Sequence, residues 1–185
     1  ASLRGKKVAV EEGTVDHYLL LLALARAGLK ATDIEVVPLA TDAAAAAFVA
    51  GQVNAVGAFA PFTTTALGRP GSTVVASSKD FPGAIPDHLV FGADYVKDHK
   101  KEVQAVVQTW FDTLAWIKAN PDKAVEIMAK RGGVSVEEYK SYDAGTTIFT
   151  REQNLAAFTP GATPANLDHQ AQLIADFLVS TKLVD

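Results

Sequence analysis

Between Glu11 and His17 the chain sets two carboxylates, a glycine, a threonine hydroxyl and an imidazole close together: Glu11, Glu12, Gly13, Thr14 and His17. At a helix start, Thr14 offers a hydroxyl that either caps its own helix or turns to a ligand oxygen. The first N–H groups of such a helix have no partner within it and the dipole is positive there, which suits a small polar or anionic ligand. His17, in the first turn, either donates to an anion or is a partly exposed surface group. Glu11 and Glu12 pull the other way, since carboxylates repel an anion and welcome a guanidinium, an amine or a urea N–H. Phe59 and Phe62 stand where a strand gives way to a helix, either lining a pocket or belonging to the core. Asp80 and Asp87 either bond a ligand or cap neighbouring turns. His88, His99 and His169 have no metal-ligand spacing, and Trp110 and Trp116 read as packing residues of a long helix. No arranged nucleophile or acid–base pair is present, so binding without turnover is expected and no cofactor is implied. An enzyme using Glu11 or Glu12 is the minor alternative. A ligand-sensing domain of a regulator would be fused to a DNA-binding or signalling segment, and none is visible.

The elements that must position these residues follow from hydrophobic pattern and punctuation. Residues 6–10 read as a strand, 11–14 as a turn, and the apolar run to Ala27 as a helix closed by Gly28. Further strands are predicted at 34–39, 55–59 and 73–76, with helices at 15–27, 42–50 and 61–67 between them. Thr41 or Asp42 can cap the second helix and Pro61 suits the first turn of the third. That alternation is α/β with a largely parallel sheet. After the Pro- and Gly-bearing stretch 80–86 the pattern changes. One strand at 88–92 leads into a helix capped by Asp94 that carries an apolar stripe from Val103 through Trp110 and Leu114 to Ile117 and ends at Asn120-Pro121. More helices begin at Pro121, at the capping boxes Ser135 to Glu138 and Thr150 to Gln153, and near 164–166. Helices with strong stripes cover a sheet or one another, and residues 84–185 supply little sheet. Either a compact helical subdomain or a lobe whose strands come from elsewhere fits that imbalance.

Composition narrows the partners. The chain of 185 residues has 49% hydrophobic content, enough for a packed core, and a net charge of −4 with neither a basic block nor a basic-aromatic stripe, so nucleic acid is a poor partner. With no cysteine, disulfides, thiolate metal sites and a cysteine nucleophile are excluded. No run reaches the roughly 20 apolar residues that span a bilayer.

Read in order, Leu3-Arg4-Gly5-Lys6-Lys7-Val8-Ala9-Val10 with Gly13-Thr14, the segment from Ala45 to Ala55, Ser77-Ser78-Lys79-Asp80-Phe81-Pro82-Gly83, and Asn154 to Gly161 together resemble the periplasmic substrate-binding proteins of nitrate, sulfonate and taurine ABC importers, a group that includes pyrimidine-precursor-binding relatives. The likeness covers nearly the whole chain and rests on the order of its pieces. It implies a type II periplasmic-binding fold, two α/β lobes joined by crossovers and closing on a solute. Residues 1–83 would form the second lobe and residues 84–185 the crossover strand and helical C-terminal portion of the first. An N-terminal part of that first lobe, or another chain, would supply the missing strands. The resemblance further implies a permease partner at the membrane and a periplasmic, or lipid-anchored extracytoplasmic, location. With the local readings above, and with the resemblance favouring Thr14, the ligand-binding candidates are Glu12, Gly13, Thr14, His17, Phe59, Phe62 and Asp80, and a sulfonate or nitrate-like anion is the ligand class the resemblance implies. Where relatives place a Trp and an acidic residue before a proline, this chain has Phe59-Ala60-Pro61-Phe62, which removes an acidic partner for a ligand amine. Its lack of cysteine also separates it from the thiamine-pyrimidine synthase relatives.

Overall fold

A computed structural model describes residues 2–143 and 146–184, with the side chain of residue 143 excepted. Two compact units are present, one formed by residues 1–85 and 168–185, the other by residues 86–167.

The first unit is built on a three-stranded parallel sheet of order β2-β1-β3. Its strands are β1 (Lys7–Val10), β2 (Glu35–Pro38) and β3 (Ala55–Val56). The central strand carries the uninterrupted apolar run Val8-Ala9-Val10, buried along its whole length, as a parallel strand covered on both faces requires. Helix α2 (Thr41–Val49) lays its alanine face on the sheet. Ala44 and Ala47 close against Ala9 and Val53, and small side chains let the helix come near the strands. Helix α1 (Val15–Arg26) meets a second cluster, in which Tyr18, Ala84 and Phe177 are buried among Leu21, Leu22, Phe81 and Ile85. Phe177 lies on α9 (Leu167–Ser180), so that C-terminal helix packs with the first unit, whereas its sequence position suggests membership of the helical portion. Helix α3 (Phe62–Leu67) follows β3.

The second unit holds α4 (Ala93–Asp98), α5 (Lys100–Ala119), α6 (Pro121–Gly132), α7 (Val136–Asp143) and α8 (Arg151–Ala157). The predicted single helix from Asp94 to Ile117 is broken at His99, whose φ of −128° and ψ of 41° leave the helical region. Gly92 rather than Asp94 takes the N-cap position, and Asp94 falls in the first turn. Pro121 opens α6 as expected. The Thr150 capping box forms in both directions, Thr150 Oγ1 accepting from Gln153 N at 3.2 Å and Gln153 Oε1 from Thr150 N at 2.8 Å.

Two predicted strands do not form. Residues 73–76 and 88–92 are extended or irregular and pair with no strand among the described residues. Their apolar side chains stay outside, Val75 67% and Val90 78% exposed. β-propensity expresses itself only where a neighbouring ladder completes the backbone hydrogen bonds and covers the side chains. The same deficit marks α5. It carries the predicted stripe, yet none of its residues is buried.

Candidate functional site

In a parallel sheet of order β2-β1-β3 the connection leaving β1 runs to one side and the strand reached next but one lies on the other. The carboxyl ends of β1 and β3 are therefore the switch point of the sheet, the place where a crevice for ligands is expected in open α/β sheets. Two segments border it, the turn from Glu11 to Thr14 that follows β1 and the loop from Gly57 that follows β3. Gly57 N donates to Ala9 O at 2.8 Å. A Cβ there would stand 2.7 Å from Val10 Cγ1 and 3.1 Å from Asp16 Cβ, so only glycine allows β3 to hand over this close to the start of α1.

The turn is held by its own polar groups. Glu11 N donates to Asp16 Oδ2 at 3.0 Å, and Glu11 O accepts from Thr14 Oγ1 at 2.8 Å and from Thr14 N at 3.3 Å. Thr14 Oγ1 also contacts Asp16 Oδ1 closely. Gly13, at φ +82° where glycine is favoured, donates its N–H to His17 Nδ1 at 3.3 Å, so a neutral His17 carries its proton on Nε2. The imidazole is buried edge-on against the Phe177 ring, centroids 5.5 Å apart. Asp16 is 3% exposed. Sequence reasoning passed it over, although an acidic residue in a first helical turn is the signal by which it is found.

Helix α1 starts after Thr14, which occupies the N-cap position with extended backbone but gives no side-chain cap. Tyr18 N bonds to Thr14 O, whereas the N–H groups of Val15, Asp16 and His17 have no acceptor among the described residues. These are unpaired donors at the positive end of a 12-residue helix, two of them on buried residues. An oxyanion or a water satisfies such donors.

The remaining candidates divide. Glu12 is exposed. Glu11 is half-buried and turned away to α2, where its Oε2 accepts from Thr41 N at 2.9 Å and Thr41 Oγ1 at 2.7 Å. Those two bonds, the hydroxyl first, hold its carboxyl below the ordinary glutamate range against the opposing effects of burial and Asp42. Phe59 and Phe62 follow β3 and meet edge to face with centroids 6.2 Å apart, Phe59 41% exposed. Asp80 does not join this group. It sits beside Arg26 in the last turn of α1, Oδ1 accepting from Arg26 Nη1 at 3.1 Å and Oδ2 from Ser77 N at 2.9 Å. Asp87 lies in the second unit.

Among the described residues no cluster of three or more His, Cys, Asp or Glu could hold a metal, and no helix is long and apolar enough to cross a membrane.

Comparison with known proteins adds the relatives. The sequence pattern of the NMT1-like family matches residues 1–131. A Brucella abortus (strain 2308) protein that carries the name of a binding protein is 31% identical over 96% of this chain and 56% of its own length. The taurine-binding periplasmic protein of Escherichia coli (strain K12) is 28% identical over 90% of this chain and 54% of its own. Among solved structures, the periplasmic aliphatic sulphonate binding protein SsuA from Escherichia coli superposes with a TM-score of 0.72 at 28% identity, covering 98% of this chain and 59% of that one. The chain thus spans little more than half the length of each of these relatives.

Proposed function

The chain belongs to the NMT1-like family, and from that premise we propose that it is the ligand-holding part of a periplasmic solute-binding protein that delivers a small sulfonate-type anion to an ABC permease, without turnover. The observation that carries the reading is the start of α1, where three successive N–H groups have no acceptor among the described residues, beside the strand ends. An anionic head group completes them. Of the carboxylates that would oppose it, Glu11 is turned away to Thr41 on α2, and Asp16, inside the first turn of α1, is bonded by Glu11 N and Thr14 Oγ1. That engagement also lowers the standing of a guanidine, urea or amine ligand, for which Glu12 is the exposed carboxylate left at this turn. Gly13 and His17 shape the wall, and Phe59 and Phe62 provide an apolar surface for a short organic tail.

The second unit supports a structural partner. A groove of about 370 Å³ is lined by Leu89, Val106, Thr109 and Trp110 among others, alongside an extended segment that pairs with no strand among the described residues. We infer that strand-forming sequence of the kind that makes the relatives longer covers this face in the assembled binding protein.

Val15→Pro tests the site. Proline at the first helical position keeps the helix and deletes one donor, and the extended Thr14 before it is compatible with proline. Equilibrium dialysis against ethanesulfonate should show affinity reduced by about tenfold, the worth of one charge-assisted hydrogen bond. Unchanged affinity with unchanged melting temperature would remove the α1 start from the site.

A further inference from the structure

Two helices begin at the same edge of the sheet, and their starts differ. At α2, two of the first three N–H groups are bonded to carboxylates, Thr41 N to Glu11 Oε2 at 2.9 Å and Ala43 N to Asp42 Oδ1 at 2.8 Å. At α1 the corresponding three have no acceptor among the described residues. The carboxylate on α2 is borrowed from 30 positions earlier in the chain, from the residue that also leads into α1. Thr41, which receives it, is 2% exposed.

Glu11 therefore joins three pieces. Its side chain holds the start of α2, its N–H holds Asp16 in the first turn of α1, and its carbonyl holds Thr14. We propose that Glu11 is a positioning residue whose carboxylate serves as a built-in anion on α2, fixing the β1–α1 turn and leaving the α1 start as the helix end that presents donors to the solute. This rests on the reading of the α1 start as the solute site. Glu11 is thereby a determinant of where the solute's charge settles, while making no contact with it. Each start carries an aspartate at its second helical position, Asp16 and Asp42, so what sets α2 apart is that its N–H donors are already taken, and a second anion gains little there.

The test uses the ¹⁵N-labelled chain with ethanesulfonate and acetate as probes, reading amide shifts at Val15, Asp16, His17 and Thr41. In the parent protein ethanesulfonate should move the first three and leave Thr41 in place, and acetate should leave Thr41 in place as well. In Glu11→Ala, affinity at α1 should fall by about fivefold to tenfold as the turn loses its tether. Acetate should then produce a saturable shift at Thr41 and return the α1 affinity toward the parent value. Glu11→Gln keeps an acceptor toward Thr41 and so preserves the fold if Glu11→Ala does not, and it should bind about threefold more weakly, as a neutral acceptor replaces a charged one. Parent-like affinity in both variants, or a Thr41 amide in Glu11→Ala that ignores acetate, would overturn the assignment. Should ethanesulfonate fail to move Val15 to His17 in the parent protein, the solute reading fails on its own, and the response of Thr41 to acetate in Glu11→Ala still decides whether its carboxylate acts as the anion on α2.

Discussion

At the scale of single residues, the polar groups of the β1–α1 turn are matched to one another before any solute arrives. Thr14 illustrates this. Its hydroxyl faces Glu11 O and Asp16 and gives α1 no side-chain cap, so its first role is to satisfy a buried carboxylate. Thr14→Val should lower stability by about 1–3 kcal/mol, the cost of leaving a buried acceptor without its donor, and Thr14→Ser should restore most of it; urea denaturation measures both. A pH dependence follows from the carboxylates of the same unit. Glu11 is held below its ordinary range chiefly by Thr41, and Asp80 chiefly by the Ser77 N–H with help from Arg26. Because their folded values lie below the unfolded ones, the stabilisation is complete above the usual carboxylate range, about pH 4 to 5, and disappears as pH falls through the folded values. Thermal unfolding should therefore show a plateau at neutral pH and an acid decline that is shallower in Glu11→Gln. An equally steep decline in that variant would count against the Thr41 bonds as its cause. From sequence, Thr14 and His17 were legible as residues of a helix start. The destination of Glu11 was not, since its partner lies 30 positions away and only the parallel pairing of β1 with β2 brings the two strand ends together.

At the scale of elements, short apolar strands and alanine-rich helices give the first unit its close spacing, and glycine sets it at the crevice. Gly57 has no room for a methyl group against Val10 and Asp16. Gly57→Ala should cost about 1–3 kcal/mol through overpacking, and it should also weaken solute binding by displacing the start of α1. A variant of unchanged stability and affinity would show that β3 and α1 shift apart freely. The sequence pattern identified β1, β2, α1, α2 and α3 because each follows its period and carries its own punctuation. It overextended β3 and predicted strands at 73–76 and 88–92 because alternation and β-branched residues report a disposition to pair, whereas a strand exists only with a neighbour. The break at His99 had no glycine or proline to announce it.

At the scale of the molecule, each unit has its own contacts. The first keeps its C-terminal helix through Phe177, a link between distant parts of the chain that local periodicity does not encode. The second leaves part of the stripe of α5 outside, with Val106 45% and Trp110 46% exposed. With Trp116→Phe, which leaves Trp110 as the one tryptophan of the chain, fluorescence reports on that face directly. Emission should be red-shifted and readily quenched by iodide in this chain, and should become blue-shifted and protected in a longer form that includes the covering strands. Identical spectra in the two forms would contradict the proposed cover.

The central claim is that the start of α1 receives the negatively charged group of a small solute. It is tested most directly by amide-shift mapping of the ¹⁵N-labelled chain with two probes that share an ethyl group and carry opposite charge. Ethanesulfonate should shift Val15, Asp16 and His17 in a saturable way, with ethylammonium leaving them unchanged. Saturable shifts with ethylammonium at Glu12 and its neighbours, and none with ethanesulfonate, would contradict the claim and assign the crevice to a cation.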